Sequence, residues 1–166
     1  MLEEYKTFLV EFDKKIEEYF SLHSTFIHCK KGCADCCKDG DYPISDIELL
    51  YIMEGFSKVS DDTKQIIQEN IKSTQDNTIC PFLINNECSI YPFRPIICRV
   101  HGLAYMQGNG MVKLPECANN KKNYCDKYIN SEFLSEPIKD NLDTYNVLKK
   151  FKYSDIKPLK NWIKNV

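Results

Sequence analysis

Long apolar runs are missing from this chain. No window holds the ~18 uninterrupted apolar residues that a helix needs to cross a bilayer, so a membrane is not expected as a partner. A positive excess is missing too. Lys and Arg number 22 against 24 Asp and Glu, a formal net charge of −2, which leaves nothing to drive counterion release from a phosphate backbone. Nucleic acid is therefore not an expected partner either. The N-terminal MLEEYKTFLVEF carries Glu3 and Glu4 where a secretory leader needs positive charge, and a cytoplasmic location is expected. The chain also lacks a Ser-His-Asp array, a P-loop, GxGxxG and HExxH. The usual sequence signals of hydrolase, nucleotide and metalloprotease chemistry are thus absent.

Cysteine, by contrast, is plentiful: nine in 166 residues. The stretch CKKGCADCCK places Cys29, Cys33, Cys36 and Cys37 within nine positions. Cys80, Cys88 and Cys98 follow as a second group, then Cys117 and Cys125. In a reducing compartment clustered thiols are metal ligands or redox centres more often than disulfides, and an odd count opposes full pairing. Short spacings within groups and long gaps between them suit a metal site, in which one loop supplies some thiolates and the fold returns the others.

The rest of the sequence reads as a scaffold. A length of 166 residues, with 43% hydrophobic and 28% charged residues, is that of one globular domain, 1–166. Leu2, Tyr5, Phe8, Leu9, Phe12, Ile16, Tyr19 and Phe20 recur at helical spacing, with Glu3, Glu4, Glu11, Lys14 and Glu18 on the opposite face. Ser45 followed by Glu48 is a capping box that opens a second helix, with Gly55 as its stop. SDDTKQIIQENIKSTQ forms a third, whose thin apolar face places it on the surface. Between Cys80 and Cys117, INNE and QGNG are turns of two short hairpins, and Pro81, Pro92, Pro95 and Pro115 forbid a long helix. A last helix is expected over 137–151, and the tail docks through Trp162 and Ile163. The fold class is mainly α with short β-hairpins, α+β, wrapped around a cysteine-rich site.

A metal held by several thiolates leaves net negative charge to be offset. Arg94 and Arg99 bracket Cys98 in an otherwise apolar stretch, where guanidinium suits buried pairing better than ammonium does. Lys30, Lys31 and Lys38 interleave with the first group and read more simply as solvated. His101 is expected to donate a hydrogen bond to a ligating sulfur. His28, next to Cys29, is a weaker candidate ligand, and His23 reads as structural or solvent-facing. Cys36 and Cys37 are adjacent, and neighbours diverge by about 100° on a helix or to opposite faces of a strand. The expectation is that the two do not address one ion from one regular segment.

Two family resemblances bear on these residues. The C-x3-C-x2-C of Cys29, Cys33 and Cys36 is similar to the cluster motif of radical S-adenosylmethionine enzymes, but the chain is short for their barrel and lacks its alternating strands and helices. The longer pattern resembles the YkgJ-type cysteine-cluster family, a zinc- or iron-chelating domain. It comprises C-x3-C-x2-C-C at Cys29 to Cys37, CPFL from Cys80, CSIY from Cys88, RPIICR from Arg94, HGL from His101 and CANN from Cys117.

That resemblance implies a metal-binding core over 29–117. Its cysteines Cys29, Cys33, Cys36, Cys37, Cys80, Cys88, Cys98 and Cys117 would hold an iron–sulfur cluster, 4Fe-4S in preference, or zinc, with Cys125 surplus. Electron transfer or metal handling is the function it implies. A flagellin lysine N-methylase has a similar cluster, which makes methyl transfer to a protein an alternative. A structural zinc adaptor that docks a protein partner is another.

Overall fold

The computed structural model describes residues 1–30, 32–38, 40–73, 78–118, 120–124 and 137–164. Cys125 and Lys31 lie outside the described residues. In chain order the elements are α1 (Leu2–Leu22), α2 (Asp35–Lys38), β1 (Pro43–Ser45), α3 (Asp46–Lys58), α4 (Asp61–Ser73), β2 (Leu83–Ile84), β3 (Glu87–Cys88), α5 (Ile96–Val100), β4 (Tyr105–Met106), β5 (Val112–Lys113), α6 (Thr144–Leu148), β6 (Ile156–Pro158) and α7 (Leu159–Ile163). Single turns of 3-10 helix occupy Ser24–Phe26, Tyr91–Phe93 and Glu116–Ala118. The fold is α+β: mainly helical, with short antiparallel strand pairs. Among the described residues no helix is long and apolar enough to cross a membrane.

The chain divides into two compact units. The first comprises Met1–Leu2, Lys31–Cys98 and Lys152–Val166; the second comprises Glu3–Lys30 and Arg99–Phe151. The first unit is built on Ile44, Ile52, Ile67, Ile71, Phe82, Ile90, Leu159 and Ile163, with Cys80, Cys88 and Trp162 half-buried against them. Ile67 and Ile71 belong to α4, so this helix seats a narrow buried edge in the core, where sequence places it on the surface. The tail joins the same core. β6 pairs antiparallel with β1, Ile44 opposite Lys157, and the Trp162 indole donates to the Ile44 carbonyl at 3.0 Å.

The Ser45–Glu48 capping box forms as the sequence predicts, and it carries a second function. Glu48 is fully buried. Its Oε2 accepts from Ser45 N and Ser45 Oγ, and its Oε1 accepts from Ile96 N at 2.8 Å. One carboxyl group thereby ties the first turn of α3 to the first turn of α5, the helix that carries Cys98. Gly55 does not stop α3. It lies inside the helix, where a Cβ would come within 2.5 Å of the Phe93 ring, so that packing rather than termination accounts for the glycine. The INNE hairpin is present, with Asn85 and Asn86 at φ 51° and 61°, the left-handed pair that a tight two-residue turn needs.

The second unit is more aromatic. α1 buries Tyr5, Leu9, Phe12 and Ile16, the face that the spacing predicts. Tyr5 and Phe8 pack on Phe151 at 5.6 and 5.3 Å between ring centres. The QGNG hairpin forms as β4 and β5. The helix expected over 137–151 shrinks to Thr144–Leu148. Ahead of it the backbone is committed elsewhere: Met106 N donates to the Ile138 carbonyl at 2.8 Å, and the Asn141 side chain accepts from Asp143 N.

Candidate metal centre

Cysteine segments far apart in sequence are laid side by side in the first unit. α2 is a single turn, opened by Asp35, that carries Cys36 and Cys37. Cys80 N donates to the Cys37 carbonyl at 2.7 Å, and Thr78 Oγ1 to the Lys38 carbonyl at 3.0 Å, so the second cysteine segment is laid along the first by its own backbone. The β2–β3 hairpin turns Cys88 back opposite Leu83. Glu48 and Pro95 fix the start of α5, with Cys98 N donating to the Pro95 carbonyl at 3.1 Å.

Charge effects record the same convergence. Burial, reinforced by the neighbouring thiols, pushes the Cys98 thiol well above its ordinary range. Burial likewise raises Cys88, and it lifts Cys80 to about 12. Cys36 moves the other way, down to about 7, because the Cys37 thiol donates a hydrogen bond to it. Cys37 is pushed up as the donor of that bond. The Arg94 guanidinium favours the charged forms of Cys36, Cys88 and Cys98, and Lys160 does so for Cys80. Surroundings that make thiolates this costly are chemically suited to a metal ion, whose charge would offset them.

The Sγ atoms of Cys36 and Cys37 lie 4.0 Å apart, nearer than the divergence of adjacent side chains on regular backbone suggests. Two thiolates on one tetrahedral ion, each ~2.3 Å from it, lie about 3.8 Å apart. The pair therefore already has close to the bite that one ion requires. Among the described residues, no group of three or more His, Cys, Asp or Glu side chains is placed close enough together to hold a metal ion, and none of the eight described cysteines is in a disulfide. Donor chemistry and the spacing of the pair fit a thiophilic metal.

Cys29 and Cys117 belong to the second unit, and each is held differently. The Cys117 carbonyl accepts from Asn120 N and Lys122 N at 3.1 and 3.2 Å, turning the chain so that Asn123 and Tyr124 face inward. Asn123 Nδ2 donates to Cys29 Sγ at 3.1 Å. Gly102, the glycine of HGL, has φ +99°, and a Cβ there would lie 3.2 Å from the same sulfur. Tyr124 feels the charge of both Cys29 and Cys117, and burial pushes its phenol up to about 12.

The cations singled out from sequence separate. Arg94 stays with the sulfurs of the first unit, its Nε donating to the Tyr91 carbonyl and its guanidinium 3.5 Å from the Tyr91 ring centre. Arg99 is paired with Asp13 of α1, its Nη1 2.5 and 2.6 Å from the two carboxylate oxygens. Burial holds the His101 imidazole below its ordinary value, with Glu116 and Lys113 acting on it in opposite senses. The His28 backbone N–H donates to Asn123 Oδ1. His23 is buried, with Nδ1 2.9 Å from the Tyr124 hydroxyl. Sequence reading missed Asn123, Lys160 and the second role of Glu48. KKNYC and PLKNW carry no local signal, since the partners are 94 residues away for Asn123 and 48 for Glu48.

A family model, CxxCxxCC, described as "Putative zinc- or iron-chelating domain", matches residues 28–127, more than half of the chain. The chain belongs to the CxxCxxCC family. The matched region takes in all nine cysteines, from Cys29 to Cys125. This CxxCxxCC chain has three residues, not two, between its first two cysteines. One of them is Gly32, at φ +85° immediately before Cys33. No curated protein and no solved structure gives a significant match.

Proposed function

We propose that this CxxCxxCC chain is a metal-handling protein that binds zinc or iron through the thiolates of Cys29, Cys33, Cys36, Cys37, Cys80, Cys88, Cys98 and Cys117. In the first unit, one tetrahedral ion takes four sulfurs drawn from Cys36, Cys37, Cys80, Cys88 and Cys98. The observation that carries this reading is the 4.0 Å approach of Cys36 Sγ to Cys37 Sγ. Two sulfurs at that distance suit a shared ion, whereas a 4Fe-4S cluster gives each thiolate an iron of its own. These five thiolates are one more than a tetrahedral ion needs. A spare donor lets an ion pass on by exchange of one ligand at a time, which suits metal handling better than a permanent staple.

When bound, the metal supplies positive charge and directed bonds to sulfur. The chain supplies the bite of α2, the backbone clamp between Cys37 and Cys80, and the Arg94 and Lys160 cations that offset excess thiolate charge. Elemental analysis beside an absorption spectrum, on protein never exposed to air, tests the proposal. Stoichiometric zinc or iron without inorganic sulfide supports it. A brown protein with sulfide equal to iron contradicts the single-ion form, and a metal-free, fully folded protein contradicts metal binding altogether.

A further inference from the structure

Asn123 is 1% exposed, and every hydrogen-bonding position of its amide that faces the protein is engaged. Oδ1 accepts from the His28 backbone N–H at 2.8 Å. Nδ2 donates to the Gly102 carbonyl at 2.9 Å and to Cys29 Sγ at 3.1 Å. These partners fix which end of the amide is which, because a backbone N–H can only donate and a carbonyl can only accept. The remaining donor has one place to go, and it goes to sulfur.

The surrounding backbone is shaped to keep it there. Gly102 takes a left-handed φ and has no side chain where Nδ2 and Cys29 Sγ approach; a Cβ would meet Nδ2 at 2.9 Å. Tyr124, directly after Asn123, is held at φ +59°, a left-handed conformation that is strained for a non-glycine residue. Its N–H donates to the Phe26 carbonyl at 2.8 Å, and its ring stacks on Phe26 at 5.8 Å. Strain accepted beside a buried amide aimed at a thiol is expensive as packing alone. It is explained if the sulfur must be oriented.

We infer that Asn123 is a positioning residue for the Cys29 sulfur as a metal ligand, aiming one lone pair by occupying another. The inference rests on the reading of Cys29 as a ligand. Donors to ligating thiolates fix their direction and draw off electron density, and losing such a partner costs about 10–100-fold in metal affinity.

The test uses the full chain with Cd2+ for affinity and Co2+ for spectroscopy, comparing wild type, N123D, N123A and C29S. Asp at position 123 is isosteric and keeps the acceptor for His28 N, but it presents oxygen to the sulfur. N123D and N123A are expected to weaken Cd2+ binding about 10–100-fold. Their sulfur-to-cobalt charge-transfer band is expected to move to lower energy, a change that loss of packing would not produce. Independently of any variant, the Asn123 side-chain amide resonance of 15N-labelled wild type is expected to shift on Cd2+ loading. Wild-type affinity and an unmoved band in both variants, or an amide signal indifferent to Cd2+, would overturn the inference while C29S, if impaired, upholds the metal reading. A wild type that binds neither ion, or a C29S that binds as well as wild type, removes the ligand and the inference with it.

Discussion

In the first compact unit five thiols share one electrostatic neighbourhood within an isoleucine-rich core. In the second, Cys29 is met by an amide and Cys117 lies beside a phenol, within a core rich in aromatic rings. Burial, reinforced by the neighbouring thiols, raises the cost of charge on sulfur in the first unit, and the Arg94 and Lys160 cations act against it. In the second unit a neutral donor, Asn123, meets the sulfur directly. The contrast teaches that one cysteine-rich sequence treats sulfur in two ways. One is apolar burial beside the Arg94 and Lys160 cations, and the other is a hydrogen bond from a neutral amide.

The comparison is broken most completely at Cys36 and Cys37. Replacing both with Ser is expected to abolish stable Zn2+ binding by the first unit, a larger loss than the about 10–100-fold that follows removal of an outer partner. Metal per chain after dialysis reads it. Hydrogen exchange locates it, with protection falling over residues 32–38 and 78–98 while α1 keeps its own.

Next comes Glu48. Its loss in E48A strands the buried Ser45 and Ile96 N–H groups, which should destabilise the protein by about 3 kcal/mol in a urea melt. E48Q, which keeps the acceptor oxygen, is expected to lose less. An equal loss in the two variants would show that shape, not hydrogen bonding, is what Glu48 contributes.

The second unit has a counterpart in Arg99, whose side chain is 4% exposed and is paired with Asp13. D13A takes away a charge-assisted partner and should cost about 2 kcal/mol, with metal content unchanged. R94M, in the first unit, should do the reverse: about tenfold weaker Zn2+ binding, from losing one offsetting charge, with little change in the melt. If D13A lowered metal content and R94M did not, the assignment of the two arginines would have to be exchanged.

The smallest effect belongs to Asp140. The hydrogen bond from Lys15, aided by Tyr19, holds its carboxyl below the usual carboxylate range. Because the folded value lies below the unfolded one, the stabilisation is present above the unfolded value and is lost as pH falls through the folded one. The site is half-exposed and screened, so D140N should cost about 0.5 kcal/mol at neutral pH and progressively less as the solution is acidified, measured by melts across an acid pH series.

What was legible in the sequence is what is local. The α1 face, the Ser45–Glu48 box and the two hairpin turns depend on residues a few positions apart, and each formed as read. The family, too, was legible in the cysteine spacings. What was not legible depends on distant partners. Gly55 lies inside α3 with Phe93 in the space beside it, and residues ahead of Thr144 abandon helix because the backbone around Ile138 bonds to β4. Helical geometry alone does not tell how near the sulfurs of Cys36 and Cys37 come on a one-turn helix. Asn123 reads as an ordinary turn residue until the fold brings Cys29 to it.

X-ray absorption at the metal edge of the anaerobically isolated protein tests the shared-ion centre most directly. The account predicts a sulfur shell at about 2.3 Å and no metal–metal scattering for the ion on Cys36 and Cys37. A strong iron–iron vector, or a shell made of nitrogen and oxygen alone, would contradict it.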